Sequence, residues 1–171
     1  MKTVVIGFSR PRSKKLFSEA IMWMQKTNFS HVYVKVEWPS AERELVYQAS
    51  GLQVNFESWN HFQTHAYSVA EFKIDLTEES YKQVAKYICD NLNKPYSMKQ
   101  VFGMFLLCLG KRFGIKISNP YKNRHDAFIC SEVGADVLET GNIDLGEDSE
   151  DVGPRELYEF LETNYSEMRI W

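Results

Sequence analysis

Cysteine and long apolar runs are both scarce in this sequence. Its 171 residues include three cysteines, at positions 89, 108 and 130, and none of them forms a CxxC pair. Zinc knuckles and disulfide frameworks need closer or more numerous cysteines, so the pattern excludes both classes and favours a reducing compartment. The first two cysteines fall within helical patterns and are predicted core residues. The most apolar segment, from Val101 to Leu109, is about half as long as a membrane-spanning helix. We therefore predict a core helix or one that lies on a membrane surface.

Positive charge is not in excess either. The chain has 20 lysines and arginines against 23 acidic residues, which gives a net charge of -3. Domains that bind nucleic acid usually present a strongly basic surface, so no nucleic-acid partner is predicted. Residues 1–9 carry one lysine and an apolar run too short for a secretory signal. The expected location is therefore cytoplasmic.

The apolar content is that of a compact globular protein. Hydrophobic residues make up 44% of the chain and aromatic residues 14%, enough to build a core of ordinary size. A chain of this length fits one domain, and no internal repeat or low-complexity linker divides it. We predict a single domain over residues 1–171.

Apolar residues recur with two different periods along the chain, which predict strands and helices respectively. The strand patterns cover residues 3–8, 30–38, 44–50 and 66–76. The helical patterns cover residues 16–24, 77–91, 98–113, 130–140 and 155–161. We expect residues 51–65 to be irregular apart from a short helix near 58–62, and residues 168–171 to add an edge strand. The predicted fold class is α+β, an antiparallel sheet with packed helices.

Residues 30–38 and 44–50 form a predicted hairpin whose register can be argued from its faces. The valines of the first strand lie at even positions, and the apolar residues Leu45, Tyr47 and Ala49 of the second lie at odd positions. Pairing these apolar faces requires odd positions of the first strand to share a face with even positions of the second. This register places Gln48 on the same side of the sheet as His31.

Cys130 begins a predicted amphipathic helix and is a candidate nucleophile. Asp126 and Ser131 are candidate N-caps, and Gly141 with Asn142 supplies a stop. A thiol at a helix N-terminus is favoured in its thiolate form, which is the form that attacks carbonyls. The alternative is a small buried core residue, because free cysteine is among the most buried residue types.

A thiol nucleophile needs a base within hydrogen-bond reach, and four histidines are available. His31 begins a strand, on the face opposite the valines. His125 lies five residues before Cys130 in a charged segment, and on chemistry alone His31 ranks above it. His61 and His65 lie in the irregular stretch and are interpreted as solvated surface residues.

Four short motifs together resemble a known family. They lie at residues 29–34, 46–51, 94–97 and 128–133. Their order and spacing resemble the circularly permuted branch of the NlpC-type papain-like superfamily, in particular its YiiX/YaeF-like cysteine amidases. In that branch the histidine strand precedes the cysteine helix, as His31 precedes Cys130 here. The resemblance covers residues 3–161 and implies a permuted papain-like fold.

The resemblance also implies roles for individual residues. Cys130 would be the nucleophile and His31 the base that takes its proton. Gln48 stands where many relatives have a glutamate, and a glutamine can orient the imidazole but cannot neutralise its positive charge. Tyr96 resembles a tyrosine near the nucleophile that assists the oxyanion, although it could equally be a packing residue at a helix entry. The backbone N–H of Cys130 or Ser131 would be a further oxyanion donor.

The implied activity is that of a cysteine peptidase or amidase. Such a thiol hydrolase would cleave an amide bond of a peptide, isopeptide-like or lipid-linked acyl substrate through a thioacyl intermediate, with no metal and no cofactor. A second hypothesis is a lipid acyltransferase or lipase-like thiol enzyme that contacts a membrane surface through the segment from Val101 to Leu109. A third is a binding protein that kept the fold without turnover, which the glutamine at position 48 favours.

Overall fold

Five strands of the chain pair into one antiparallel sheet. The computed structural model describes residues 2–115 and 126–170. The strands are β1 (Lys2–Pro11), β2 (His31–Trp38), β3 (Arg43–Ser50), β4 (Gln53–Ser58) and β5 (Ala66–Leu76). Their order across the sheet is β4-β3-β2-β1-β5, and every neighbouring pair is antiparallel.

In the residues that the structure describes, six α-helices accompany the sheet, which makes the architecture α+β as predicted. They are α1 (Leu16–Gln25), α2 (Trp59–His65), α3 (Glu78–Asp90), α4 (Met98–Arg112), α5 (Cys130–Thr140) and α6 (Pro154–Asn164). The side chain of Thr77 caps α3 by accepting from the N–H of Ser80, and Ser97 accepts from the N–H of Gln100 at the start of α4. Within the described ranges, no helix combines the length and apolar character needed to cross a bilayer.

The predicted hairpin register is confirmed. Val34 of β2 pairs with Tyr47 of β3, and Val36 pairs with Leu45, around a short turn at Pro39–Ala41. The valine face of β2 is therefore continuous with the apolar face of β3. Because direct partners share a face, the opposite face carries His31 beside Gln48.

Residues 51–65, predicted to be largely irregular, form a second hairpin and a helix. A tight turn at Gly51, where φ is +66°, leads from β3 into the edge strand β4. The apolar residues of β4 alternate as Val54 and Phe56, so the period of a strand is present but lasts only one repeat. The predicted helix near 58–62 extends through residue 65 as α2. At the other end of the chain, the strand expected at residues 168–171 is reduced, in the described residues, to one isolated bridge between Phe72 and Arg169.

The sheet is covered on both faces. On the valine face, α3, α5 and α6 supply side chains to the main core, and every residue of α5 from Cys130 to Leu138 is buried. On the opposite face, Phe62 and Trp59 of α2 pack against Tyr33 and neighbouring residues of the sheet. Two apolar layers therefore hold β2 between them, with His31 at its first position.

One predicted apolar face and two predicted core cysteines are more exposed than the sequence pattern indicates. On α1, Leu16 is 92% exposed and Trp23 is 69% exposed, and Gln25 is the buried residue of this helix. Cys89, predicted to be a core residue, is exposed on α3, while Cys108 is half-buried. Helical spacing identifies which residues share a face, but it does not say whether another element covers that face.

Helix α5 lies in close contact with β2 at Gly134. A Cβ added at this position would stand 2.8 Å from Cγ1 of Val32 and 3.1 Å from Cδ2 of Leu157. Valine is stiff about χ1, so it cannot turn away from such a contact without displacing the strand. The absence of a side chain at Gly134 therefore sets the distance between the helix that carries Cys130 and the strand that carries His31.

We predict that Gly134→Ala destabilises the protein by about 1–3 kcal/mol, because the overpacking against Val32 exceeds the gain of about 1 kcal/mol in helix propensity. Urea denaturation followed by circular dichroism measures the effect. Glu139→Ala, at an exposed position of the same helix, is the matched control and should change stability by less than about 0.5 kcal/mol. A Gly134→Ala protein as stable as the wild type would show that the contact is not tight.

Candidate functional site

The Cys130 helix begins at the thiol itself. Its N-cap is Ile129, which has no capping side chain, and Oε2 of Glu132 accepts from the Ile129 N–H at 3.3 Å. The predicted caps are therefore wrong: Asp126 lies too far upstream, and Ser131 is inside the helix. The predicted stop is confirmed, since Gly141 caps the C-terminus.

The sulfur of Cys130 lies against the backbone of β2. Burial raises the pKa of the Cys130 thiol, and the nearby backbone N–H groups of Val32, Ser131 and Cys130 itself oppose this rise. The expected preference for thiolate at a helix N-terminus is thus outweighed by burial. Val32 directly follows His31, so the nearness of its N–H to the sulfur puts the thiol beside the strand that carries the imidazole.

A chain of hydrogen bonds fixes the imidazole of His31. Nε2 of His31 lies 2.7 Å from Oε1 of Gln48, and Nε2 of Gln48 donates to Oε2 of Glu57 at 2.8 Å. A carboxylate can only accept, so the Gln48 amide must turn its oxygen toward His31 and accept the Nε2 proton there. His31 consequently carries its proton on Nε2, and Nδ1 is the nitrogen with a free lone pair.

The Cys130 thiol and the His31 imidazole are both uncharged at neutral pH. Desolvation lowers the pKa of His31 to about 4, against the opposing hydrogen bond of Gln48. For Glu57, burial alone would raise the pKa, but its hydrogen bonds to His65 and His61 outweigh burial and lower it. The site at rest therefore consists of a neutral thiol, a neutral imidazole and, behind Gln48, an ionised carboxylate.

Backbone hydrogen bonds hold Tyr96 beside the start of α5. Its N–H donates to the Leu52 carbonyl at 2.8 Å, and the N–H of Phe128 donates to the Pro95 carbonyl at 2.9 Å. Burial, followed by the negative charge of a Cys130 thiolate, raises the pKa of the Tyr96 hydroxyl. Tyr96 therefore stays protonated and lies near the position where negative charge would develop.

Ser131 contributes to the site through its backbone alone. Its side chain is fully buried inside the fold, and its hydroxyl has no hydrogen-bond partner among the residues that the structure describes. The Ser131 N–H, by contrast, lies close enough to the Cys130 sulfur to lower the pKa of the thiol. This backbone N–H is the group expected to act as an oxyanion donor, and that role stays a prediction.

An open groove of about 850 Å³ gathers most of the predicted site residues. Four of them line it: His31, Gln48, Tyr96 and Cys130. Apolar side chains from α1, β4 and α4 form part of its wall, including Phe17, Phe56 and Met98. His125, the weaker candidate base, lies outside the described residues. The groove can thus admit a substrate with both a polar and an apolar part to the buried thiol.

The sequence interpretation missed a second polar group in the same groove. His61 and His65 are exposed, as predicted, but they are not isolated, because both rings bind Oε1 of Glu57, with His65 Nε2 at 2.7 Å. The three residues are spaced four apart, which is the one sequence signal that could have revealed them. It was obscured because Glu57 belongs to β4 whereas the two histidines belong to α2.

A group of buried acids lies beneath the thiol. Glu132 is 1% exposed, and its pKa is raised to about 8, first by burial and then by the negative charge of Asp136. Asp136 accepts from the Tyr87 hydroxyl at 2.6 Å. At neutral pH, Glu132 is therefore largely protonated in the folded protein, which avoids two adjacent buried charges.

These features define a class of protein: an α+β fold in which a thiol at a helix start and an imidazole at a strand start open into one groove. No protein-family model and no curated protein sequence matches the chain. Among solved structures, the chain resembles the crystal structure of the metalloprotein YiiX from Escherichia coli O157:H7, with a TM-score of 0.57 and 20% sequence identity. The match covers 82% of this chain and 66% of the YiiX chain. At this identity the likeness establishes the fold alone.

We predict that the protein loses stability as pH rises through the range between the unfolded and folded pKa of Glu132, from about 4.5 to about 8. A folded-state pKa above the unfolded value means that the protonated form favours folding, so the contribution is full below the lower value and is lost toward the higher one. Glu132→Gln, which mimics the protonated acid, should remove a pH-dependent change in the free energy of unfolding on the order of 5 kcal/mol. Urea midpoints at several pH values measure it.

Glu147→Gln provides the control for this prediction, because Glu147 is exposed in a loop. It should leave the pH dependence of stability as it is in the wild type. A Glu132→Gln variant that keeps the wild-type slope would mean that another group titrates in this range.

Proposed function

We propose that the protein is a thiol hydrolase that cleaves an amide or related acyl bond. One observation carries the proposal. Gln48 is held between His31 and Glu57, and this arrangement leaves Nδ1 of His31 as a free base beside the strand backbone that contacts the Cys130 sulfur. Nucleophilic catalysis needs a thiol, a base and a third group that holds the base in one tautomer.

The reaction would proceed in two acyl transfers. As the sulfur of Cys130 attacks the substrate carbonyl, Nδ1 of His31 takes the thiol proton, and the Tyr96 hydroxyl donates to the developing oxyanion. His31 then gives its proton to the leaving amine, which departs and leaves a thioester on Cys130. Water, deprotonated by the same nitrogen, attacks the thioester, and the acid is released as the thiol regains its proton. No step needs a metal or an organic cofactor.

The proposal accounts for the glutamine at position 48. A glutamine alone cannot stabilise the imidazolium that forms when His31 takes a proton. Its amide, however, is polarised by the carboxylate of Glu57, and the negative charge of Glu57 raises the His31 pKa against desolvation. Glu57 thus supplies, one hydrogen bond further away, the charge that a glutamate at position 48 would supply directly.

We place the chain with the permuted papain-like enzymes of the YiiX/YaeF type, as one domain over residues 1–171. The order of its elements supports this assignment, since the strand of His31 precedes the helix of Cys130 along the chain. The likeness of its fold to YiiX is consistent with it. The substrate class that follows is a peptide, an amide or a lipid-linked acyl group.

We predict that iodoacetamide alkylates Cys130 at pH 7 about ten-fold faster than it alkylates Cys89. Cys130 is buried and Cys89 is exposed, so without activation the order of rates would be reversed. A base that accepts the thiol proton makes Cys130 the faster of the two. His31→Asn should therefore slow the alkylation of Cys130 by about 100-fold or more and leave that of Cys89 unchanged. Peptide-resolved mass spectrometry over a time course measures both rates in one sample.

Two further measurements complete this test. The Cys130 rate should stay nearly level from pH 7 to pH 5 and fall as His31 becomes protonated near its pKa of about 4. With p-nitrophenyl acetate, the acetyl group should appear on Cys130 and turn over in the wild type, but not in the His31→Asn protein. If Cys130 reacts no faster than Cys89 in the wild type, the thiol is not activated and the protein is not a thiol hydrolase.

An exposed apolar surface supports a second candidate function, a thiol enzyme that takes acyl groups from lipids at a membrane surface. Leu16 and Trp23 of α1 and Phe102 of α4 are all more than half exposed. The neighbouring side chain of Phe17 reaches the groove that holds Cys130. A helix pair with apolar side chains on its outer surface can rest in the membrane interface and bring the groove to a lipid acyl chain.

For this candidate we predict that the protein co-sediments with vesicles of phosphatidylcholine and phosphatidylglycerol, and that Leu16→Ser with Trp23→Ser cuts the bound fraction several-fold, because exposed apolar side chains supply the insertion energy. Leu52→Ser, at a position that is 88% exposed on another part of the fold, is the control and should bind as the wild type does. Protein that stays in the supernatant at all lipid concentrations would exclude this function.

A further inference from the structure

The wall of the groove contains three side chains that could bind one metal ion. Glu57 stands near the end of β4, and His61 and His65 lie one turn apart on α2, so they face the same way. Ser58 fixes the start of this helix by accepting from the His61 N–H at 3.3 Å. The three donor groups therefore come from a strand and a helix joined without a loop.

The donor atoms already converge. Both imidazoles bind the same carboxylate oxygen, Oε1 of Glu57, and the three donor atoms lie within 4.8 Å of one another. In a tetrahedral zinc site with bonds of about 2.1 Å, neighbouring donors stand roughly 3.4 Å apart. The donor atoms therefore lie near the spacing that a zinc ion requires.

The donor chemistry favours zinc. Two imidazole nitrogens and one carboxylate oxygen form a ligand set that holds zinc and leaves a fourth position open. The side chains of His61 and His65 are 70% and 46% exposed, while that of Glu57 is 13% exposed. The open position would therefore face the groove, and the ion could enter from solvent.

A second layer of contacts holds the donors in place. Oε2 of Glu57, the oxygen that the imidazoles do not use, accepts from Nε2 of Gln48 at 2.8 Å. On α2, Phe62 is 1% exposed and packs with Trp59 against the sheet, which anchors the helix between the two histidines. Outer contacts of this kind orient ligands and raise metal affinity.

We propose that Glu57, His61 and His65 form a zinc site in the wall of the groove. The proposal does not depend on the thiol hydrolase mechanism, in which none of these residues touches the substrate. It links the two sites nonetheless, because Glu57 would use Oε1 for the metal and Oε2 for Gln48, and Gln48 holds His31. The rival arrangement is a zinc ion bound by Cys130 and His31.

Zinc binding to the full chain tests the proposal, measured by competition with a chromophoric chelator and by metal analysis after dialysis. We expect one zinc ion per chain, and at least ten-fold weaker binding in His61→Asn and in Glu57→Gln. Cys130→Ser should bind as the wild type does, and this variant separates the metal site from the fate of the thiol mechanism. With cobalt(II) as the probe, the absorption spectrum should show visible bands but should lack the near-ultraviolet charge-transfer band of a thiolate ligand.

A thermal-shift measurement distinguishes the loss of zinc binding from misfolding of a variant. Zinc should raise the melting temperature of the wild type and of Cys130→Ser, because a ligand that binds the folded state stabilises it, and should not raise that of His61→Asn. Each variant is checked by circular dichroism, and His65→Asn replaces any variant that does not fold. Zinc binding that survives in His61→Asn and His65→Asn, or that is lost in Cys130→Ser, would overturn the proposal.

Discussion

The contact between α5 and β2 at Gly134 is the constraint on which the site depends. Because this residue has no side chain, the helix approaches the strand until Val32 fills the space that a Cβ would occupy. One helical turn earlier, the same approach brings the Cys130 sulfur close enough to the Val32 N–H for this group to lower the pKa of the thiol. A wider separation would leave the core intact in outline but would remove the thiol from the backbone of the strand that begins with His31.

The polar half of the groove is organised around Gln48 in a comparable way. Its amide has one donor side and one acceptor side, and the carboxylate of Glu57 determines which way it faces. Because the amide oxygen faces His31, the imidazole carries its proton on Nε2, which fixes its tautomer. The buried position of Gln48, at 3% exposure, keeps water from competing for either bond. A single amide thus connects His31 to the cluster of Glu57 and two histidines.

Part of this arrangement was predictable from the sequence, and the physical reason is local. Alternation in β2 and β3 determines which residues share a face, so the pairing of His31 with Gln48 followed from the apolar pattern alone. The helical spacing of the apolar residues after Cys130 likewise predicted a helix that begins near the thiol. The role of Glu57 was not predicted, because β4 is an edge strand with only one repeat of alternation. The position of Tyr96 near Cys130 was expected from the family resemblance and not from the apolar pattern, because it depends on hydrogen bonds to residues distant in the chain.

The charge state of the pair follows from burial more than from helix position. Desolvation raises the pKa of the thiol and lowers that of the imidazole, so both shifts oppose a preformed ion pair. In the proposed reaction, His31 would take the thiol proton as the sulfur attacks the substrate carbonyl, and negative charge would develop on the carbonyl oxygen. A site that is neutral at rest would leave the nearby backbone N–H groups and the Tyr96 hydroxyl to stabilise that charge. In the proposed mechanism, charge therefore develops during the attack and moves onto the substrate.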